Sequence, residues 1–213
     1  MTDADILDSR YSWTRLGLAL TMSLVGNVGM WVSIVMLPDI QAEFGVNRAD
    51  ASLPYTLMMI GFATGNLVFG RVVDRFGVTY AMIIAAILVA AGMALSAVSP
   101  SIFVLSLVQF FVGLGTAASF GPLIADVSLW FLKRRGIAVA ITASGNYLAG
   151  AIWPLLLLSM VAEEGWRAVY LLLSVVTLLV VIPLALCLRP QVPQAARDRA
   201  DQISSARAQA AGY

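Results

Sequence analysis

Histidine is absent from this 213-residue sequence, cysteine occurs once, at Cys187, and charged residues make up only 12% of the chain. Without histidine there is no imidazole to ligate a metal or haem, or to activate a serine, and a single thiol cannot close an intrachain disulfide. These shortages argue against an enzyme and against a metal or cofactor site in this chain. Nucleic acid is not an expected partner either, because the net charge is only +1 and the basic residues fall in short clusters instead of forming one face. The acidic start, with Asp3, Asp5 and Asp8 ahead of the first apolar run, has the wrong sign for the leading segment of a cleaved signal peptide. That run is expected to be retained.

What the chain has in excess is apolar surface, with 60% hydrophobic residues. Apolar runs cover 14–37, 51–71, 79–99, 102–125, 136–160 and 167–188, separated by charged, glycine or proline residues. Each is close to the roughly 20 residues that cross a hydrocarbon core of about 30 Å. A backbone in lipid must satisfy its own hydrogen bonds, and these runs are too long and continuous for barrel strands, so the fold class is all-α with six transmembrane helices. Residues 1–13 then form an N-terminal segment and 189–213 a polar linker or tail.

Charge placement gives an orientation. Eleven of the thirteen Lys and Arg residues lie at or before the start of run one, at or after the end of run two, between runs four and five, and after run six; only Arg48 and Arg167 fall on the other side, among Asp39, Glu43, Asp50, Glu163 and Glu164. The positive-inside rule puts both termini in the cytoplasm, and the short loops suit a bacterial inner (plasma) membrane.

The chain also repeats itself. Ala63-Thr64-Gly65-Asn66 with Gly70 matches Ala143-Ser144-Gly145-Asn146 with Gly150 at a constant offset of 80, and Asp74-Arg75-Phe76-Gly77 corresponds loosely to Glu163-Glu164-Gly165. The copies lie in helices two and five, which run in opposite directions, so two three-helix units form an inverted 3+3 repeat. Gly61, Gly65, Gly145 and Gly150 are expected to let helices approach closely.

Two segments carry a resemblance. Gly70-Arg71-Val72-Val73-Asp74-Arg75-Phe76-Gly77 resembles the signature loop of the major facilitator superfamily, departing from it at Val78 and Thr79, where basic residues usually stand. Trp130-Phe131-Leu132-Lys133-Arg134-Arg135-Gly136-Ile137-Ala138, continuing to Gly150, is similar to the entry into helix five of monocarboxylate and oxalate/formate-type carriers. The resemblance implies half of a twelve-helix transporter working by alternating access. Its partners would be a small organic solute such as a carboxylate, the lipid bilayer, and a second six-helix half supplied by a missing C-terminal segment, a separate chain or self-association. The alternative is a six-helix protein without transport of its own, acting as a partner subunit or an inactive remnant.

Within that frame the candidate cytoplasmic gate comprises Gly70, Arg71, Asp74, Arg75, Gly77, Asp126 and Arg135. Asp126, near the inner end of helix four, should find a cation such as Arg75 or Arg71, since an unpaired carboxylate there is costly. Candidates for the substrate cavity are Ser23, Asn27 and Trp31 on one face of helix one, Gln109 and Thr116 on helix four, and Thr142, Asn146 and Tyr147 on helix five. Gln109 stands where the resembled family often has arginine. No charged residue occupies the middle of any run, and the helix-one lysine of monocarboxylate carriers has no counterpart here.

Overall fold

The computed structural model describes residues 7–190, and every regular element among them is helical. In chain order these are α1 (Arg10–Gly26), α2 (Val28–Val35), α3 (Leu37–Phe44), α4 (Arg48–Ala51), α5 (Leu53–Phe76), α6 (Val78–Ala97), α7 (Ile102–Thr116), α8 (Gly121–Ser128) and α9 (Arg135–Cys187). Their starts follow local chemistry. Ser9, Asn47 and Ser101 each accept a backbone N–H of the first turn, while Pro38, Pro54 and Pro122 sit where a missing N–H costs nothing.

Five helical stretches are long and apolar enough to cross a membrane. The last, α9, has 53 residues, about 80 Å at 1.5 Å per residue, far more than one crossing needs. It is two crossings: Gly165 leaves helical geometry at φ 82°, ψ 164° and reverses the chain. Gly77, between α5 and α6, has almost the same backbone, φ 84° and ψ 165°. Only glycine adopts this conformation without strain. The same hairpin device therefore closes the second and third spans at one end of the molecule and the fifth and sixth at the other.

Packing repeats with the same symmetry. A Cβ on Gly65 of the second span would collide with Leu114 O of the fourth, and one on Gly61 with Phe110 O. In the fifth span a Cβ on Gly145 would meet Ser23 and Leu20 O of the first at 2.8–3.0 Å, and one on Gly150 would meet the Trp31 ring. Span two thus docks on span four as span five docks on span one, which is how a pair of inverted triplets must pack. The terminal glycine breaks the pattern: a Cβ on Gly70 has nothing within 4 Å. Gly70 has no such close neighbour, because α7 has already given way to the broken segment before α8.

Two apolar clusters fill the bundle. One, around Leu16, Met22, Phe69, Met82, Leu123 and Trp130, lies toward the arginine-rich end; the other, around Met36, Met58, Met93, Leu105, Trp166 and Leu173, lies toward the opposite end. Outside them large apolar side chains face outward, with Leu155 80%, Leu179 70% and Phe103 67% exposed. So much exposed apolar surface on long helices needs lipid as its solvent, and the chain is an integral membrane protein.

Three spans differ from their apolar runs. The first breaks at Asn27, whose side-chain and backbone N–H groups both donate to Ser23 O at 2.7 and 3.2 Å, competing with the regular ladder. The fourth breaks at Ala117–Phe120, since Pro122 has no N–H to return to the carbonyl four residues back. The second runs on to Phe76, so Arg71, Asp74 and Arg75 stand on its last turns and only Gly77 forms the connection.

Candidate functional site

The two breaks meet. Gly26, beside the first, leaves room for the Ser119 side chain, and Asn27 Nδ2 reaches Ser119 O at 3.4 Å and Ser23 Oγ at 3.3 Å. Asn27 is fully buried and its Oδ1 accepts nothing. One turn on, Trp31 Nε1 donates to Asn146 Oδ1 at 3.2 Å, and Trp153 Nε1 donates to Leu24 O at 2.9 Å, which ties the fifth span to the broken first one. The helices thus break at corresponding places in the two triplets, the first span of each, with Asn27 Oδ1 left unpartnered at the first break.

The candidate cavity residues divide by depth. Ser23, Asn27, Thr116 and Thr142 are buried, with the Thr116 and Thr142 hydroxyls bonded back to Val112 O and Ala138 O. Gln109 lies wholly inside the six-helix unit. Its Nε2 donates to Tyr170 Oη at 2.9 Å and Ser96 Oγ at 3.2 Å, and Tyr170 Oη meets Ser33 Oγ at 3.0 Å. This knot joins spans one, three, four and six, and Gln109 Oε1 is left without a donor. Trp31 is half-buried, Asn146 is 8% exposed, and Tyr147 is open at 66%. A recess of about 230 Å³ lies beside the fourth-span break, lined by Asn66, Gly70, Asp74 and Pro122 among others.

At the arginine-rich end Asp126 does find a cation, but not Arg71 or Arg75. Arg15 binds it through two parallel contacts, Nε to Oδ2 and Nη2 to Oδ1, both 2.9 Å, while Nη1 donates to Pro190 O at 2.9 Å and the guanidinium lies 4.6 Å from the Trp130 ring centroid. The Arg15 side chain is 2% exposed and that of Asp126 12%. Asp126 faces Arg15 of the first span, whereas Arg71 and Arg75 are exposed on the last turns of α5. Arg71 bonds Leu67 O, Arg75 lies over Phe76, and neither pairs with Asp74. Arg135 donates to Ser128 Oγ at 3.2 Å.

Asp8, read from the sequence only as part of the acidic start, caps the loop between α8 and α9. Its Oδ2 accepts from Leu132 N (3.1 Å) and Lys133 N (2.9 Å), its Oδ1 from Arg134 N (3.3 Å), and its own N–H donates to Trp130 O (3.1 Å).

The opposite end has a matching knot. Arg167 Nε and Nη2 reach Glu43 Oε1 at 2.9 and 2.8 Å, its Nη1 and Nη2 hold Ala97 O and Ser99 O at the end of α6, and Trp166 Nε1 donates to Glu43 Oε2 at 2.6 Å. The bonded Arg167 guanidinium holds the Glu43 carboxyl below the usual carboxylate range, with Trp166 adding to it and partial burial opposing. Since the unfolded chain binds this proton more tightly, the stabilisation is complete above the ordinary carboxylate value and is lost as pH falls through the lowered one. Thermal melting of the detergent-solubilised chain should therefore hold steady from pH 7 to about 5 and decline below about 4. Glu43→Gln should flatten part of that acid decline, by a modest amount because the pair is partly exposed.

Among the described residues no group of three or more Cys, Asp or Glu is placed to hold a metal. In comparison with known proteins, the family model of the Major Facilitator Superfamily matches residues 19–210. A probable sulfoacetate transporter of Cupriavidus necator is 26% identical over 164 residues, which cover 76% of this chain and 38% of the relative. Monocarboxylate transporter 6 of Mus musculus is 28% identical over 171 residues, covering 78% and 36%, and its Homo sapiens counterpart is 29% identical over 164, covering 75% and 32%. The chain thus spans about a third of the length of these curated relatives.

Proposed function

The chain belongs to the Major Facilitator Superfamily, and on that premise we propose that it is the N-terminal half of a secondary active transporter that moves a small organic carboxylate by alternating access. The observation that carries this reading is the contact between the two helix breaks, Asn27 to Ser119, beside half-buried Trp31, buried Asn146 and exposed Tyr147. A second six-helix half facing that side would close a solute path. The amides, the indole and the phenol would orient the solute, and since no charged side chain stands at this depth, the cation that binds a carboxylate would come from the other half. In this reading the arginine-rich end is cytoplasmic.

Buried Arg15–Asp126 joins helices of the same half, so rocking of the halves need not break it. Of the candidate gate, Arg71, Asp74, Arg75 and Arg135 are the exposed charges left to meet the other half.

A fusion of this chain to the C-terminal six helices of the Cupriavidus necator relative, reconstituted in proteoliposomes, tests the reading. Saturable uptake of sulfoacetate or a monocarboxylate is expected from the fusion and none from the chain alone. A fusion that is monodisperse and membrane-inserted, yet moves none of them, would overturn it.

A further inference from the structure

Oxygen is in excess around Asn27. Its Nδ2 faces three acceptors, Ser23 O at 2.7 Å, Ser23 Oγ at 3.3 Å and Ser119 O at 3.4 Å, with only two hydrogens to share among them. The backbone N–H of Asn27 is already given to Ser23 O. On the same amide Oδ1 accepts nothing, although Asn27 is fully buried, and a buried oxygen without a donor is costly. Ser119 reaches this point because Gly26 has no side chain; a Cβ there would collide with Ser119 Oγ.

The terminal torsion of an asparagine is broadly two-fold, so a half turn of the amide exchanges Oδ1 for Nδ2. Oδ1 would then face Ser23 O, Ser23 Oγ and Ser119 O, a set of four uncharged oxygens that holds together only around a positive ion. We propose that this junction of the two helix breaks binds a monovalent cation of sodium size, with Asn27 Oδ1, Ser23 O, Ser23 Oγ and Ser119 O as ligands. Carbonyls at broken helices hold sodium in this way in other transporter folds. The ion must be small, because the Ser119 side chain already lies against the α1 backbone at Gly26 and leaves no slack for potassium. It would add positive charge at a depth where this half has no cationic side chain, and would leave Trp31, Asn146 and Tyr147 to the solute. A coupling role for the ion rests on the transport reading, whereas binding needs only this chain, so the two can fail separately.

The purified full chain in detergent is melted in sodium, potassium or choline chloride at equal ionic strength. Tryptophan fluorescence is the readout, because Trp31 lies one turn from Asn27 and Trp153 donates to Leu24 O. Saturating sodium should raise the midpoint by about 5 °C over choline, and potassium should not. Ser23→Ala, which removes one ligand and keeps the Cβ, should need about tenfold more sodium for the same shift. Asn27→Leu should not respond to sodium; should it fold poorly, Ser23→Ala alone decides. Equal wild-type midpoints in the three salts, the result a bound water would give, would overturn the proposal. A potassium response as large as that to sodium would do so too, as would a sodium response unchanged in Ser23→Ala.

Discussion

Arg15→Ala is expected to destabilise the chain by about 3–5 kcal/mol, because it strands the Asp126 carboxylate in a site 12% exposed and removes the donor to Pro190 O. In a protein of this size that lowers the melting midpoint by roughly 10 °C, measured in detergent by tryptophan fluorescence or by a dye that reports aggregation. Asp126→Asn should cost nearly as much, since it leaves the guanidinium buried without its counter-charge. Replacing both, Arg15→Met with Asp126→Leu, should recover most of the loss, because an apolar pair of similar volume avoids the desolvation that the ions suffer. That recovery separates a clamp from a gate. In a complete transporter a clamp within one half leaves uptake close to normal in the double variant, whereas a gate does not.

The second large effect is steric. A Cβ on Gly113 would collide with Met58 O and lie 2.8–2.9 Å from Met58 C and Cα, and backbone atoms cannot swing aside as a flexible side chain can. Across the same seam Gly61 and Gly65 press on Phe110 O and Leu114 O, so the second and fourth spans touch backbone to backbone along two turns. Gly113→Val must pry these helices apart, at a cost of at least about 3 kcal/mol. Little monodisperse protein should survive extraction. Gly70→Ala is the control, because a Cβ there meets nothing within 4 Å. It should be neutral or slightly stabilising, by up to about 1 kcal/mol, since alanine is the better helix former. The glycine most prominent in the signature motif is thus expected to tolerate substitution, and one outside it is not.

Features written in local sequence were readable in advance. Apolar runs mark the spans, and the offset of 80 between Gly65 and Gly145 marks two segments that dock alike, one on the fourth helix and the other on the first. The correspondence of Gly77 with Gly165, loose in sequence, is close in backbone geometry. What escaped depends on long-range contacts. Gln109 was a cavity candidate because a buried amide needs a partner, yet its partners Ser96 and Tyr170 come from two other spans that no local pattern connects to it.

Arg15 escaped for another reason, having been counted as one more cation of the basic side. The signal was there to read: a lone arginine just inside the first span and a lone aspartate just inside the fourth, at the same end of the bundle. Charges sunk below a membrane rim seek each other before they seek exposed partners such as Arg71 or Arg75, because the gain is larger where water is scarce. The signature charges were assigned to a loop because the apolar run ends at Arg71, but the hydrogen-bonded ladder continues through them to Phe76.

The central claim is that the chain crosses the bilayer as two inverted triplets, each with a glycine reversal, and α9 tests it most directly. In a Cys187→Ser background, which leaves no other thiol, single variants Lys133→Cys, Glu163→Cys and Arg189→Cys can be exposed to a membrane-impermeant maleimide on intact cells and on inside-out vesicles. Two crossings with the turn at Gly165 predict that positions 133 and 189 react from one side and position 163 from the other. Reaction of 133 and 189 from opposite sides would mean a single crossing, and the inverted repeat could not stand.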